Sequence, residues 1–411
     1  MAQVVNKVNG VVGWFVAALY LLFAPWPAMA NVTLLIVLLG GLLLTRPADL
    51  GHLRSVQPAW WMAGLFGLVV LGLFYTAAPW SWAGLNLGKY AKLAYALVIL
   101  LLLIKFPQWQ RLALRAYVLA MLFVLASTWL NIWFVLPWSH SKEPGWGVSH
   151  HVLFDYIIQN VMMSWFVVYA LSQVQWRSIT WRSAGWLLVA LLGALSISHL
   201  SLGRTGLLVL MAGLLAWVAY SGGARRLLLG LPIAGLAGVT LVMSSSLLQG
   251  RFLLAWQEFG NRHADPLTSI GQRAYNYEKT AQLIAEKPVF GHGTGAFHTE
   301  ICRLVEKPEW CQIFNWHPHN QFLMFGADHG FVGMLVYAGL IASLFVMAWR
   351  SPHAKPRVWL GALASILLVD SMINTPLFSS SESHFFVYMM ALLVAMNAGT
   401  AKGIGVFRAE R

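Results

Sequence analysis

The chain has 411 residues, of which 59% are hydrophobic and 10% charged, and it carries 21 tryptophans; soluble domains hold about a quarter charged residues. Water is therefore excluded as the main solvent. The net charge of +13 is spread through loops rather than gathered in a basic domain, which argues against a nucleic-acid partner, and the apolar runs are too long and too uniform for barrel strands.

Apolar runs of this length satisfy their backbone in lipid only as helices, so the fold class is an all-α polytopic membrane bundle. Spans are expected near 10–26, 29–45, 59–78, 89–106, 112–136, 152–173, 183–200, 205–221, 226–247, 317–349, 358–376 and 383–401, which makes twelve. The tenth is long enough to hold a kink. Lys7, the following apolar stretch and Ala28-Met29-Ala30 imitate a signal peptide, but another apolar run follows at once, so an uncleaved first helix is expected.

With the N-terminus inside, alternate loops carry Arg46 and Arg54, then Lys105, Arg111 and Arg115, then Arg177 and Arg182. The series continues with Arg225 and Arg226, then Arg350, Lys355 and Arg357, and ends in a tail 402–411 with Lys402, Arg408 and Arg411. The opposite loops, around Pro27, Trp80 to Gly88 and Pro137 to His151, are poor in basic residues and rich in Trp, Pro and Gly. The bias of basic residues toward the cytoplasm makes both termini cytoplasmic.

Four regions follow: helices one to nine over 1–247, a periplasmic subdomain over 248–316, helices ten to twelve over 317–401, and the cytoplasmic tail. The subdomain holds seven basic and seven acidic residues. Within it, 271–287 reads as an amphipathic helix with Ala274, Tyr277, Ala281 and Ile284 on one face, stopped by Pro288 and Gly291-His292-Gly293-Thr294-Gly295. That glycine-rich stretch lacks the strand and Lys-Ser/Thr of a phosphate loop and reads as a turn. Cys302 and Cys311 close a short ring in an oxidising compartment, so a disulfide is expected over two free thiols.

Candidate chemistry concentrates in Asn315-Trp316-His317-Pro318-His319-Asn320-Gln321. Pro318 suits the first position of a helix, which makes His317 the cap and puts His319 in the first turn, where the helix dipole keeps an imidazole neutral and able to accept a proton. The same histidines also read as interfacial polar groups bonded to loop carbonyls. Arg204, within Ser201-Leu202-Gly203-Arg204-Thr205-Gly206, stands at the outer end of the eighth span, and Arg273 opens the loop helix. Two guanidinium forks can hold a diphosphate without a metal; snorkelling for Arg204 and a surface salt bridge for Arg273 are the plainer readings. Asp155, Asp328 and Asp370 are polar anchors or functional acids. No metal-ligand cluster is visible, and no cofactor is implied.

Taken together, the spans, the large late loop, Ser201 to Gly206, the run from Arg273 through Pro288, Phe290 and Gly291 to Phe297, and His317-Pro318-His319-Asn320 resemble the O-antigen ligase and O-antigen polymerase family of membrane glycosyltransferases. The resemblance implies a glycan donor on undecaprenyl diphosphate, a sugar hydroxyl of the lipid A core as acceptor, and a site facing the periplasm from the bacterial inner membrane. It further implies His319 as base, Arg204 and Arg273 on the diphosphate, His317 and Asn320 in support, and an inverting, metal-independent transfer. An O-antigen polymerase or a protein O-oligosaccharyltransferase of the same superfamily would share these features. A twelve-span secondary transporter, from a different class, would place polar residues near the midplane in repeat-related halves, and no such repeat is evident.

Overall fold

The computed structural model describes residues 2–260 and 265–401. Arg262 and the tail 402–411, with Lys402, Arg408 and Arg411, lie outside the described residues. Every regular element among the described residues is helical. In chain order these are α1 (Ala2–Leu22), α2 (Pro27–Leu44), α3 (Gly51–Arg54), α4 (Gln57–Gly72), α5 (Trp80–Tyr90), α6 (Lys92–Lys105), α7 (Gln108–Leu130), α8 (Tyr156–Gln173) and α9 (Trp181–His199). There follow α10 (Arg204–Ser244), α11 (Ser246–Gly260), α12 (Ser269–Glu286), α13 (Phe297–Leu304), α14 (Cys311–Phe314), α15 (Gln321–Arg350), α16 (Ala354–Ser371) and α17 (Ser380–Ala401).

Six of these helices, α5 and α6 counting as one, are long and apolar enough to cross a membrane, and up to eight spans result if each sharply bent pair is one. The outer surface matches that solvent: Leu43, Phe74 and Trp349 are 77%, 84% and 70% exposed, which a soluble protein does not tolerate over a continuous belt. In contrast, α17 is buried on every side from Phe385 to Ala395. A helix apolar all round belongs at a bundle's centre, and α6, α7, α8, α15 and α16 surround it.

Two helices depart from straight rods. Over α10, the side chain of Val218 reaches Gly230 and that of Met211 reaches Gly238. In a straight helix Met211 and Gly238 would be about 40 Å apart at 1.5 Å per residue, so the segment doubles back and the two apolar runs expected there lie side by side. After Ser244 the chain turns by 101° into α11, so a helix leads directly into the region expected as a loop. In α15 the break falls at Gly330, whose φ of 62° lies in the left-handed region. A Cβ there would also strike the Val289 carbonyl at 2.4 Å, so the site demands glycine for both reasons. The turn after α12 packs into this break: Phe331 N–H donates to the Pro288 carbonyl at 2.7 Å.

The loop helix itself is turned relative to expectation. Ala281 is exposed, while Asn276, Thr280, Leu283 and Ile284 are buried. Of the expected face only Ile284 is buried, with Ala274 and Tyr277 half-buried; α12 packs against α15, and the buried stripe recruits two polar side chains that a hydrophobicity pattern passes over.

Candidate functional site

Helix α15 begins after Asn320, whose side-chain oxygen accepts from Leu323 N–H at 3.1 Å. Asparagine is a far better N-cap than histidine, and this corrects the expectation that His317 caps the helix with His319 in its first turn. His319 precedes the cap. Its φ of 54° makes it the one non-glycine residue with positive φ among the described residues. Such backbone costs about 1–3 kcal/mol and persists where the surroundings impose it.

Those surroundings are specific. His319 N–H donates to His317 Nδ1 at 3.2 Å, and the Tyr277 hydroxyl donates to the His319 carbonyl at 3.0 Å. The two imidazole rings meet edge to face with centroids 4.3 Å apart. Because His317 Nδ1 accepts, its proton sits on Nε2, so His317 serves to hold the backbone of His319. Burial, then the neighbouring His317, then the Arg273 charge push His319 down to about 2. Burial, Arg273 and His298 push His317 down to about 4. Both are neutral, His319 as expected, but from desolvation first and neighbouring charge second rather than from a helix dipole.

Arg273 lies one turn into α12 and is fixed by Ser269, whose hydroxyl and carbonyl accept at 2.8 and 3.1 Å. Its Nε faces the Ile373 carbonyl at 3.5 Å. Burial pushes its pKa down, and the charges of Tyr277, Arg204, Tyr156 and Glu258 all bear on it. No carboxylate reaches salt-bridge distance of Arg273 among the described residues.

Arg204 is the first residue of α10, after the cap Gly203. Its guanidinium donates to the Arg251 carbonyl at 2.8 Å and lies 3.8 Å from Glu258, with its side chain only 16% exposed. The local sequence explains the position: a Cβ at Gly206 would come within 2.5 Å of the Asn160 amide, and that amide donates to Ser201 at 2.8 Å. Small residues let α10 start hard against α8, with the arginine turned toward α11. Glu258 also accepts from Ile270 N–H at 3.2 Å, tying Arg204 to the start of α12.

Around these groups, the carbonyls after α16 form a polar rim. Met372 accepts from Tyr277 at 2.7 Å and from Asn320 at 3.2 Å. On the far side of His317, the Phe378 ring approaches it at 6.3 Å and leads to an aromatic cluster of Trp316, His298 and Trp82. His298 stacks on Trp82 with centroids 4.1 Å apart, bonds Asn315 O at 2.6 Å and Asn86 at 2.8 Å, and is pushed by burial to about 4. Cys302 and Cys311 form a disulfide with Cα atoms 4.7 Å apart, stapling α13 to α14 just ahead of the histidine segment.

Each of the three acids read from the sequence makes at least one hydrogen bond. Asp155 caps α8 through Ile157 N–H at 2.6 Å, and Asp328 accepts from Gly295 and Phe297 N–H at 3.0 and 2.9 Å, pinning the glycine-rich turn to α15. Asp370 bonds Asn374 at 2.7 Å. Among the described residues no group of three or more His, Cys, Asp or Glu side chains is placed to hold a metal ion.

The structure thus gathers Arg273, His317, His319 and Asn320 at one end of the bundle, with Arg204 beside Arg273. Glu258, Tyr277 and His298 were missed in the sequence. Tyr277 had been placed on an apolar face, and the partners of all three lie far along the chain. Against known proteins, residues 187–338 match the family model described as Wzy_C, O-antigen ligase. The search of curated proteins returns no match.

Proposed function

We propose, from the match of residues 187–338 to the O-antigen ligase family model, that the chain is an O-antigen ligase: a multi-pass enzyme of the bacterial inner membrane that moves a glycan from undecaprenyl diphosphate to a sugar hydroxyl of the lipid A core. The observation that carries this reading is the meeting of a neutral imidazole, held in strained backbone, with a partly buried arginine that has no carboxylate partner among the described residues. Twelve spans with cytoplasmic termini and an outward-facing 248–316 go with it.

In the proposed reaction the acceptor oxygen attacks the anomeric carbon from the face opposite the diphosphate and loses its proton to His319. The bond from that carbon to the phosphate oxygen breaks, and Arg273 and Arg204 stabilise the charge on the departing diphosphate. One displacement inverts the anomeric centre. A base at about 2 is weak, chiefly because it is buried and then because His317 adjoins it; the donor's negative charge offsets the smaller contribution of Arg273 and moves the imidazole upward. His317 positions His319, and guanidinium charge takes the place a divalent cation holds in other transferases.

A lipopolysaccharide gel of a deletion strain tests the assignment. Loss of the O-antigen ladder with lipid-linked polymer accumulating supports the ligase, whereas core capped with a single repeat identifies a polymerase. With purified protein, transfer persists in excess chelator; abolition by EDTA and rescue by a divalent ion overturns the metal-independent scheme.

A further inference from the structure

A second cluster of positive charge lies across Phe378 from the histidines. Lys89, at the end of α5, and Lys92, at the start of α6, border a cavity of about 430 Å³ together with Asn31, Tyr95, Ser380 and His384. Lys92 is 92% buried, its residual exposure being 8%, and His384 is 3% exposed with Nδ1 lacking any hydrogen-bond partner. The ammonium groups of Lys89 and Lys92 donate to Ser380 and Ser383, each at 2.7 Å. Neither reaches a carboxylate among the described residues, and none of the residues lining the cavity is acidic.

The depth makes this costly. Lys92 stands a helical rise of about 20 Å above Lys105 at the basic end, well inside a hydrocarbon layer of about 30 Å. A cation held there without a counter-charge marks a functional site. Neutral hydroxyls compensate an ammonium far less than an anion does. One wall of the cavity is α2, through Pro27, Ala28, Asn31 and Leu34, and of these Ala28 and Asn31 are exposed at the outer surface of the bundle. Its anion can therefore arrive from the bilayer with its acyl chains still in lipid. Lys89 also lies 5.4 Å from the Phe378 ring and 5.8 Å from that of Trp316, so the cavity adjoins the histidine segment on the side away from Arg273.

We propose that this cavity binds the phosphate group of a second membrane lipid, and, on the ligase reading above, that this lipid is the acceptor. Arg204 and Arg273 take the donor's diphosphate, Lys89, Lys92 and His384 take a lipid A phosphate, and His319 stands between them. The arrangement delivers two anionic lipids from two sides without their charges meeting.

The test uses the full purified chain in detergent with lipid A, and with the same lipid after phosphatase treatment, binding being read by native mass spectrometry. Wild type should retain phosphorylated lipid A at least tenfold better than the dephosphorylated form, and Lys89→Met/Lys92→Met should lose that preference. Equal retention of both forms by wild type, or an unchanged preference in the double variant, overturns the site. Thermal stability should hold or rise in Lys92→Met, since an uncompensated cation is removed; should it fall, Lys89→Gln on the rim carries the test with a loss of at least threefold. Displacement of lipid A by equimolar phosphatidylglycerol would show a site for ordinary headgroups and overturn the acceptor assignment. In glycan transfer the double variant should raise the KM for acceptor at least tenfold with kcat and the donor KM within twofold. Binding that behaves as stated without transfer by wild type would overturn the ligase reading and leave the phosphate site standing.

Discussion

The two ends of the bundle use positive charge in opposite ways. At one end Arg46, Arg54, Arg111, Arg115, Arg177, Arg182 and Arg350 are all exposed, and Lys105 pairs with Asp49 at 2.5 Å beside the last carbonyls of α2. At the other, Arg204, Arg273 and Lys92 are drawn inward, and only Arg204 approaches a carboxylate among the described residues. Exposed charge is solvated and inexpensive, and it suits a role in orienting the chain in the membrane. Inward charge without a partner carries a desolvation penalty that folding alone gives no reason to keep. On the proposed reading, the difference separates residues that set topology from residues that await an anion.

The largest expected effect falls on His319. Replacing it by alanine should lower kcat by about 10²–10⁴-fold, the usual contribution of a positioned base. Alanine is itself disfavoured at a φ of 54°, so His319→Asn, which tolerates left-handed backbone, separates the two causes and should be as inactive. His317→Ala should be milder, because His317 supplies a backbone acceptor rather than the base. Equal, small losses at both positions would return the pair to interfacial polar groups.

Next come the arginines. Arg273→Ala should cost about 10²–10³-fold in kcat, in the range for removing one preorganised donor to a developing charge, and Arg273→Lys should fall between, keeping charge but losing the planar fork. The double variant with Arg204→Ala should lose less than the product of the single losses, since both act on one leaving group. Near-normal turnover in Arg273→Ala would break the contrast between the two ends at its strongest point.

How much of this was legible beforehand follows from the range of the interactions. Apolar runs and basic loops are local and periodic, and a helix lies over each expected span, although the fold-back within α10 appears only in contacts such as Met211 with Gly238. His319 stood out by its neighbours in sequence, but its conformation did not: Tyr277 donates to a carbonyl 42 residues away and to another 95 away. Lys89 and Lys92 fall at the start of the apolar span 89–106, and what brings them together with Ser380, Ser383 and His384 is the packing of α17 against α6. Pairings between distant segments leave no period to read.

A smaller effect is expected in the pH dependence. In the free enzyme His319 is held at about 2 and His317 at about 4, both below the ordinary imidazole value. The unfolded chain takes up protons below about 6.5 while the folded one does not, so stability should be full above that pH and decline as pH falls toward 4. Donor diphosphate beside Arg273 should raise the imidazole, so the acid limb of kcat should lie at higher pH than that of kcat/KM for the donor. Acid limbs at the same pH in both profiles would mean that the donor's charge does not reach His319.

The smallest effect belongs to the exposed end, where it tests the comparison from the other side. Arg111 and Arg115 lie on the first two turns of α7 and are exposed, so replacing both with glutamine removes solvated charge and leaves no buried group unpaired. Surface changes of this kind stay within about 0.5 kcal/mol, and neither residue contacts the histidine segment, so turnover of the purified double variant should remain within twofold of wild type. What should change is the yield of correctly oriented chain, since two of the charges proposed to hold this loop inside are gone. Reporter fusions after Arg226 and between Glu300 and Pro308 read that orientation directly. A tenfold loss of turnover in correctly oriented, stable protein would show that charge at this end also serves the reaction, and the division between topology and anion binding would no longer hold.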